Sequence, residues 1–130
     1  MSSALLSSLR AGDHDGALAA LYALDGAQSS LDRARDRACR TAGNLMKTFA
    51  PSGAAVLFSG PGRTEIGGNH TDHQHGRVLC GSVDMDMLAC AAPNGKNVIR
   101  IQSEGYPALE VELEELAVRP GEANTSAALV

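Results

Sequence analysis

The sequence predicts an α/β (α+β) fold in which N-terminal helices pack on a mixed, largely antiparallel sheet of about five strands, a usual size for one sheet. Three observations predict it. Apolar residues in the first fifty positions recur at helical spacing. From residue 54 the pattern changes to short apolar runs and strict alternation. Between the first run and the rest stands a polar, glycine-rich segment of sixteen residues, Pro61 to Gly76.

Residues 1–50 read as helical. Asp15 can cap a segment in which Leu18, Leu21 and Tyr22 fall on one face, and Asp25-Gly26 ends it. Ser29-x-x-Asp32 resembles a capping box opening a longer helix. On that helix Leu31, Ala34, Ala38, Ala42, Leu45 and Phe49 trace one face, and Arg33, Arg35, Asp36, Arg37 and Arg40 decorate the others. With Asp32 and Asp36 among them, these arginines read as a solvated face rather than a nucleic-acid patch. Pro51-Ser52-Gly53 stops the helix.

Ala54 to Ser59 is a nearly continuous apolar run, the pattern of a buried strand. After the polar segment, four further strands are expected over 77–83, 84–92, 97–103 and 108–113. Asn94-Gly95 supplies a hairpin signal between two of them. In the last, Leu109, Val111 and Leu113 alternate with Glu110, Glu112 and Glu114, which predicts a half-buried strand with a solvated acidic face. Pro120-Gly121-Glu122 breaks the pattern, and residues 120–130 resemble a helix that starts and does not finish. The expected organisation is one domain, 1–130, the truncated N-terminal part of a longer protein.

Composition narrows the class. Hydrophobic residues make up 44% and charged residues 20%, ordinary for a globular chain. Aromatics are only 3%, so the core must come from aliphatic side chains and alanine. A net charge of −4 gives no general attraction to nucleic acid or anionic lipid, and no apolar run is long enough for a membrane span. Cys39, Cys80 and Cys90 are odd in number and form no CxxC pair, which argues against a zinc ribbon or a disulfide framework and for a cytoplasmic setting. Asn69 and Asn124 open N-x-[ST] matches that are read as chance.

The segment at 61–76 carries the chemistry. It holds one arginine, three histidines and four glycines, and Ile66 is its only aliphatic side chain apart from proline. Turn formation would account for Pro61-Gly62 and Gly67-Gly68 and leave the polar positions unexplained. The segment lacks the Gly-Lys-[Ser/Thr] ending of a Walker A loop and is not GxGxxG. His70, His73 and His75 with Asp72 invite a metal reading. An HxxHxH pattern on an irregular loop has no fixed ligand geometry, however, and no second ligand group stands elsewhere, so no metal is assigned.

As it stands, Pro61-Gly62-Arg63-Thr64-Glu65-Ile66-Gly67-Gly68-Asn69-His70-Thr71-Asp72-His73-Gln74-His75-Gly76 resembles the N-terminal sugar-binding motif of galactokinases, P-G-R-x-N-[LI]-[IL]-G-E-H-x-D-Y-x-x-G. The order of elements is similar too: helices, an apolar strand, the motif, then Gly76-Arg77-Val78-Leu79 entering the next strand. The resemblance implies the N-terminal fold of the GHMP sugar-kinase superfamily. It implies that Arg63 stabilises the transferring phosphoryl group and contacts the sugar, and that Asn69, His70 and Asp72 hold sugar hydroxyls. Glu65 and His73 stand at further sugar-facing positions. Glu65 replaces the family's Asn, Gly67 a bulky aliphatic, Asn69 a Glu and His73 a Tyr, which leaves the exact hexose open.

The family's reaction moves the γ-phosphoryl of ATP to the anomeric hydroxyl of galactose, with Mg2+. Its Gly/Ser-rich ATP loop and downstream catalytic aspartate do not occur in residues 1–130. The chain is therefore expected to bind galactose or a similar hexose, to bind no ATP or Mg2+ alone, and to need a C-terminal remainder as partner for catalysis. Two alternatives stay open at this point: a non-catalytic sugar-binding or regulatory module, and a small histidine-based metal-binding protein.

Overall fold

The computed structural model describes residues 2–68, 74–114, 117 and 120–129. They form three helices and two antiparallel pairs of strands, an α+β composition, in two compact units, Met1–Pro93 and Asn94–Val130. The sheet of about five strands is not what forms. One hairpin belongs to each unit, and the strands expected at 77–83 and 84–92 are a single strand.

In the first unit, α1 (Ser2–Ala11), α2 (Asp15–Tyr22) and α3 (Gln28–Phe49) make the helical layer. Ala34, Ala38 and Ala42, spaced four apart, are buried on one face of α3. Their small side chains let neighbouring elements approach closely, and Leu9 of α1 and Leu18 of α2 fill the contact. Leu9 was not singled out from the sequence, yet it is the most enclosed large side chain described. Arg35 of α3 reaches across to Asp15 of α2, donating from Nε at 2.9 Å and again from Nη2.

The start of α3 differs from the expected capping box. Its N-cap is Ala27, two residues before Ser29. The capping work falls to Asp25, whose carboxylate accepts from the Ala27 amide at 3.0 Å and the Ser30 hydroxyl at 2.8 Å. Ser30 in turn accepts from Arg33 at 2.9 Å, so this buried hydroxyl is satisfied on both sides.

β1 (Val56–Gly67) and β2 (Leu79–Ala91) pair antiparallel from Val56↔Ala91 to Gly67↔Leu79. The run Ala54 to Ser59, expected to be fully buried, is covered on one side only. Leu57 packs with Cys90 against the helical core, whereas Phe58 is 57% exposed and Met87, on the outer face, 78%. A two-stranded sheet with helices on one face leaves its other face open. Residues 61–67, expected in a loop, continue β1.

The second unit pairs β3 (Val98–Ile101) with β4 (Leu109–Glu112). Asn94-Gly95 does make a turn, with the Asn94 side chain accepting from the Lys96 amide and donating to the Val98 carbonyl, each at 2.8 Å. The strands it separates are not partners of each other, because β2 pairs with β1 and β3 with β4. The alternation at 109–112 places Glu110 and Glu112 in solvent, as read, and Glu110 pairs with Arg100 across the ladder at 2.6 Å. Pro120–Glu122 and Ser126–Leu129 are short 3₁₀ turns rather than the opening of an α-helix.

α3 ends on Ala50 at φ 42°, ψ 51°, with its amide bonded to the Met46 carbonyl. This left-handed conformation costs a residue with a Cβ about 1–2 kcal/mol. Ala50→Gly is therefore expected to stabilise the first unit by about 1 kcal/mol and to raise its melting temperature by roughly 4–8 °C, measured by circular dichroism.

Candidate sugar-binding site

Of the residues assigned to the sugar, Arg63 and Glu65 are described. Asn69, His70, Asp72 and His73 lie outside the described residues. Arg63 pairs with Ser82, Thr64 with Gly81 and Glu65 with Cys80. Strand side chains alternate, so Arg63 and Glu65 share one side of β1, the side that carries Leu57 and Ser59 nearer the helices. Both are exposed. The strand thus holds a cation and an anion in line, two residues apart, on a surface open to a polar ligand.

Two glycines of the motif have steric reasons to be there. The ladder shifts register between Pro61↔Asp86 and Arg63↔Ser82, so Gly62 alone faces Val83, Asp84 and Met85. A Cβ on Gly62 would meet Val83 Cγ2 at 2.9 Å and the Met85 carbonyl oxygen at 3.0 Å. Gly68, at φ 111°, closes the hairpin neck, and a Cβ there would lie 2.6 Å from both the Arg77 carbonyl oxygen and Val78 Cα. Turn formation therefore does not explain Pro61-Gly62, which sits in a strand beside a bulge.

A polar network with no local sequence pattern behind it stands at the root of this segment. The Asp86 carboxylate, on β2 opposite Pro61, accepts from the Tyr22 hydroxyl at 2.6 Å and the Ser59 hydroxyl at 2.7 Å. Arg37 donates Nη1 to the same carboxylate and Nη2 to the Asp86 carbonyl at 3.1 Å. Its guanidinium also lies 5.8 Å from the centre of the Tyr22 ring, within cation–π range. The Asp86 side chain is only 12% exposed. Arg37, read from sequence as part of a solvated face, is instead the tie between α3 and β2. The one sequence signal was an aspartate set among Met85, Met87 and Leu88.

Burial alone would raise the Asp86 pKa, but the hydrogen bonds from Tyr22, Ser59 and Arg37, with the charge of Arg37, outweigh it and hold the carboxyl below its ordinary value. Burial and the bond donated to Asp86 push the Tyr22 phenol up. At Asp15 the hydrogen bond from Arg35 is the main cause of a lowered pKa, and at Asp25 the Ala27 amide is. Among the described residues no group of three or more His, Cys, Asp or Glu could hold a metal ion.

Residues 46–93 match the family model for the galactokinase galactose-binding signature. The matched segment is similar to the galactokinase signature. It runs from the last turn of α3 through both strands of the first hairpin and ends at Pro93, where the first unit ends. The match supports the galactokinase resemblance of the Pro61–Gly76 motif. No curated protein and no solved structure matches the chain. No helix among the described residues is long and apolar enough to cross a membrane.

Two outcomes follow from this geometry. Gly68→Ala forces a Cβ against backbone at a left-handed φ, and is expected to cost about 2–3 kcal/mol in urea unfolding. The depressed carboxyl of Asp86 contributes stability that is present above the ordinary aspartate pKa of about 4 and is lost as pH falls through its lower folded value. The stability gap between the unaltered chain and Asp86→Asn should therefore be widest near pH 6 and narrow steadily toward pH 3; a gap independent of pH would contradict the ionised network.

Proposed function

We propose that residues 1–130 form the sugar-binding part of a galactokinase-like enzyme that transfers the γ-phosphoryl of ATP to the anomeric hydroxyl of galactose or a similar hexose. The observation that carries this reading is the signature match over 46–93, which covers the whole hairpin on which Arg63 and Glu65 stand exposed. The chemistry of the residues supports it. A guanidinium fixed on a strand can stabilise charge developing on phosphoryl oxygens. Asp72 can accept two hydroxyl hydrogen bonds, and His70 can both donate and accept. Asn69, Glu65 and His73 supply further polar contacts and set which hexose is preferred.

ATP and Mg2+ are proposed for the complete enzyme. Residues 1–130 contain no Gly/Ser-rich phosphate loop in their sequence, so phosphoryl transfer is proposed to draw on groups outside them. The proposed setting is cytoplasmic, for which the three free cysteines speak.

Titration with galactose, followed by amide chemical shifts, is expected to move Arg63 and Glu65 saturably. Asp72→Asn should weaken binding roughly tenfold, the loss of about one charge-assisted hydrogen bond. Absence of any saturable shift at high millimolar galactose would sink the reading. Residues 1–130 alone should give no turnover with galactose, ATP and Mg2+. In an extended, active chain Arg63→Ala should lower kcat by about 10²–10³ with little change in KM, because its main contact forms as charge develops.

A further inference from the structure

At Pro61 the β1–β2 ladder is poorly equipped to hold its register. Proline offers no amide hydrogen to the ladder, and the bulge of three β2 residues opposite Gly62 follows immediately. Strand register is set by pairing and by side-chain packing, and a slip by one residue turns every side chain to the opposite face. Arg63 and Glu65 lie just beyond this weak point, so their placement depends on whatever fixes the strands there.

Asp86 is the residue paired with Pro61, and its carboxylate gathers three donors from three different elements: Tyr22 on α2, Arg37 on α3 and Ser59 on β1. Ser59 and Asp86 lie on opposite strands, two pairs apart on β1's own count, which makes their 2.7 Å bond a diagonal brace across the ladder. The Arg37 bond to the Asp86 carbonyl holds the β2 backbone as well as its side chain. A half-buried carboxylate with three donors in place resists displacement, since a slip breaks several charge-assisted hydrogen bonds at once.

We propose that Asp86 is a positioning residue for the sugar-binding segment, fixing the β1–β2 register at the bulge and with it which face of the hairpin carries Arg63 and Glu65. The affinity arm of its test rests on the sugar-binding reading; the structural arm does not.

The test compares Asp86→Asn and the milder Ser59→Ala with Asp15→Asn, which breaks the Arg35 link between α2 and α3 and leaves the hairpin untouched. Ser59 is exposed, so its variant keeps the fold if Asp86→Asn does not. Amide hydrogen exchange is measured at Arg63, Thr64, Glu65 and their partners Cys80 to Ser82, with each variant's global unfolding as reference. Both network variants should exchange these amides at least tenfold faster relative to global unfolding, and Asp15→Asn should not. Galactose affinity at full folding should fall roughly tenfold in Asp86→Asn, three- to fivefold in Ser59→Ala, and not at all in Asp15→Asn. Unchanged local exchange in both network variants overturns the proposal, and so does loosened exchange with unchanged affinity. If the unaltered chain binds no galactose, the sugar reading falls, and the positioning role is decided by exchange alone.

Discussion

The first unit depends on one carboxylate. Its helical layer and its hairpin share little apolar surface: the buried core is two leucines and three alanines, and the sheet adds chiefly Leu57 and Cys90. An isolated two-stranded hairpin is marginal in water and needs packing against another element. Here that packing is short of area, and Asp86 supplies a directional tie in its place. Charge burial in a protein is costly unless the group is fully partnered. Asp86 meets that condition with two hydroxyls and a guanidinium, and its depressed pKa shows that the partners outweigh the burial.

This arrangement divides the hairpin along its length. Near the helices β1 presents Leu57 to the core and Ser59 to Asp86. Past Pro61 the same side of the strand carries Arg63 and Glu65 into solvent. One alternation therefore serves packing at the root and polar chemistry beyond it. The bulge at Gly62 marks the change, and only a residue without Cβ fits there against Val83 and the Met85 carbonyl.

Much of the local structure was readable from residues. Ala34, Ala38 and Ala42 were placed on the α3 face by spacing, and the Leu109–Glu112 alternation gave the correct strand and its wet side. What failed did so for physical reasons. Pro61 and Gly62 look like strand breakers, yet a proline at an irregular ladder position and a glycine opposite a bulge are both compatible with a strand. The break expected between Val83 and Asp84 falls at the irregularity opposite Gly62, through which a single strand continues, and Asp86 within that strand takes partners 49 and 64 residues away in sequence. No window-based pattern sees such pairs. Asp25 capping α3 escaped for a smaller reason, since Ser29 offered a closer match to the capping-box pattern.

The motif's chemistry was more legible than its backbone, and the two bear on function differently. The resemblance of residues 61–76 to the galactokinase motif is what pointed to a sugar, and side chains that accept and donate hydrogen bonds suit that reading. The Asp86 network beside the described part of the motif was invisible, because its members lie on other elements of the first unit. In the proposed function Arg63 acts on a developing charge, for which a fixed guanidinium is better than a mobile one that loses its advantage to reorganisation. A strand provides that fixity only if its register is held, and at Pro61 the chain offers the ladder no amide hydrogen just before the irregularity at Gly62. The tie proposed to order this arginine is Asp86, paired with Pro61 one strand away and bonded to Tyr22, Arg37 and Ser59.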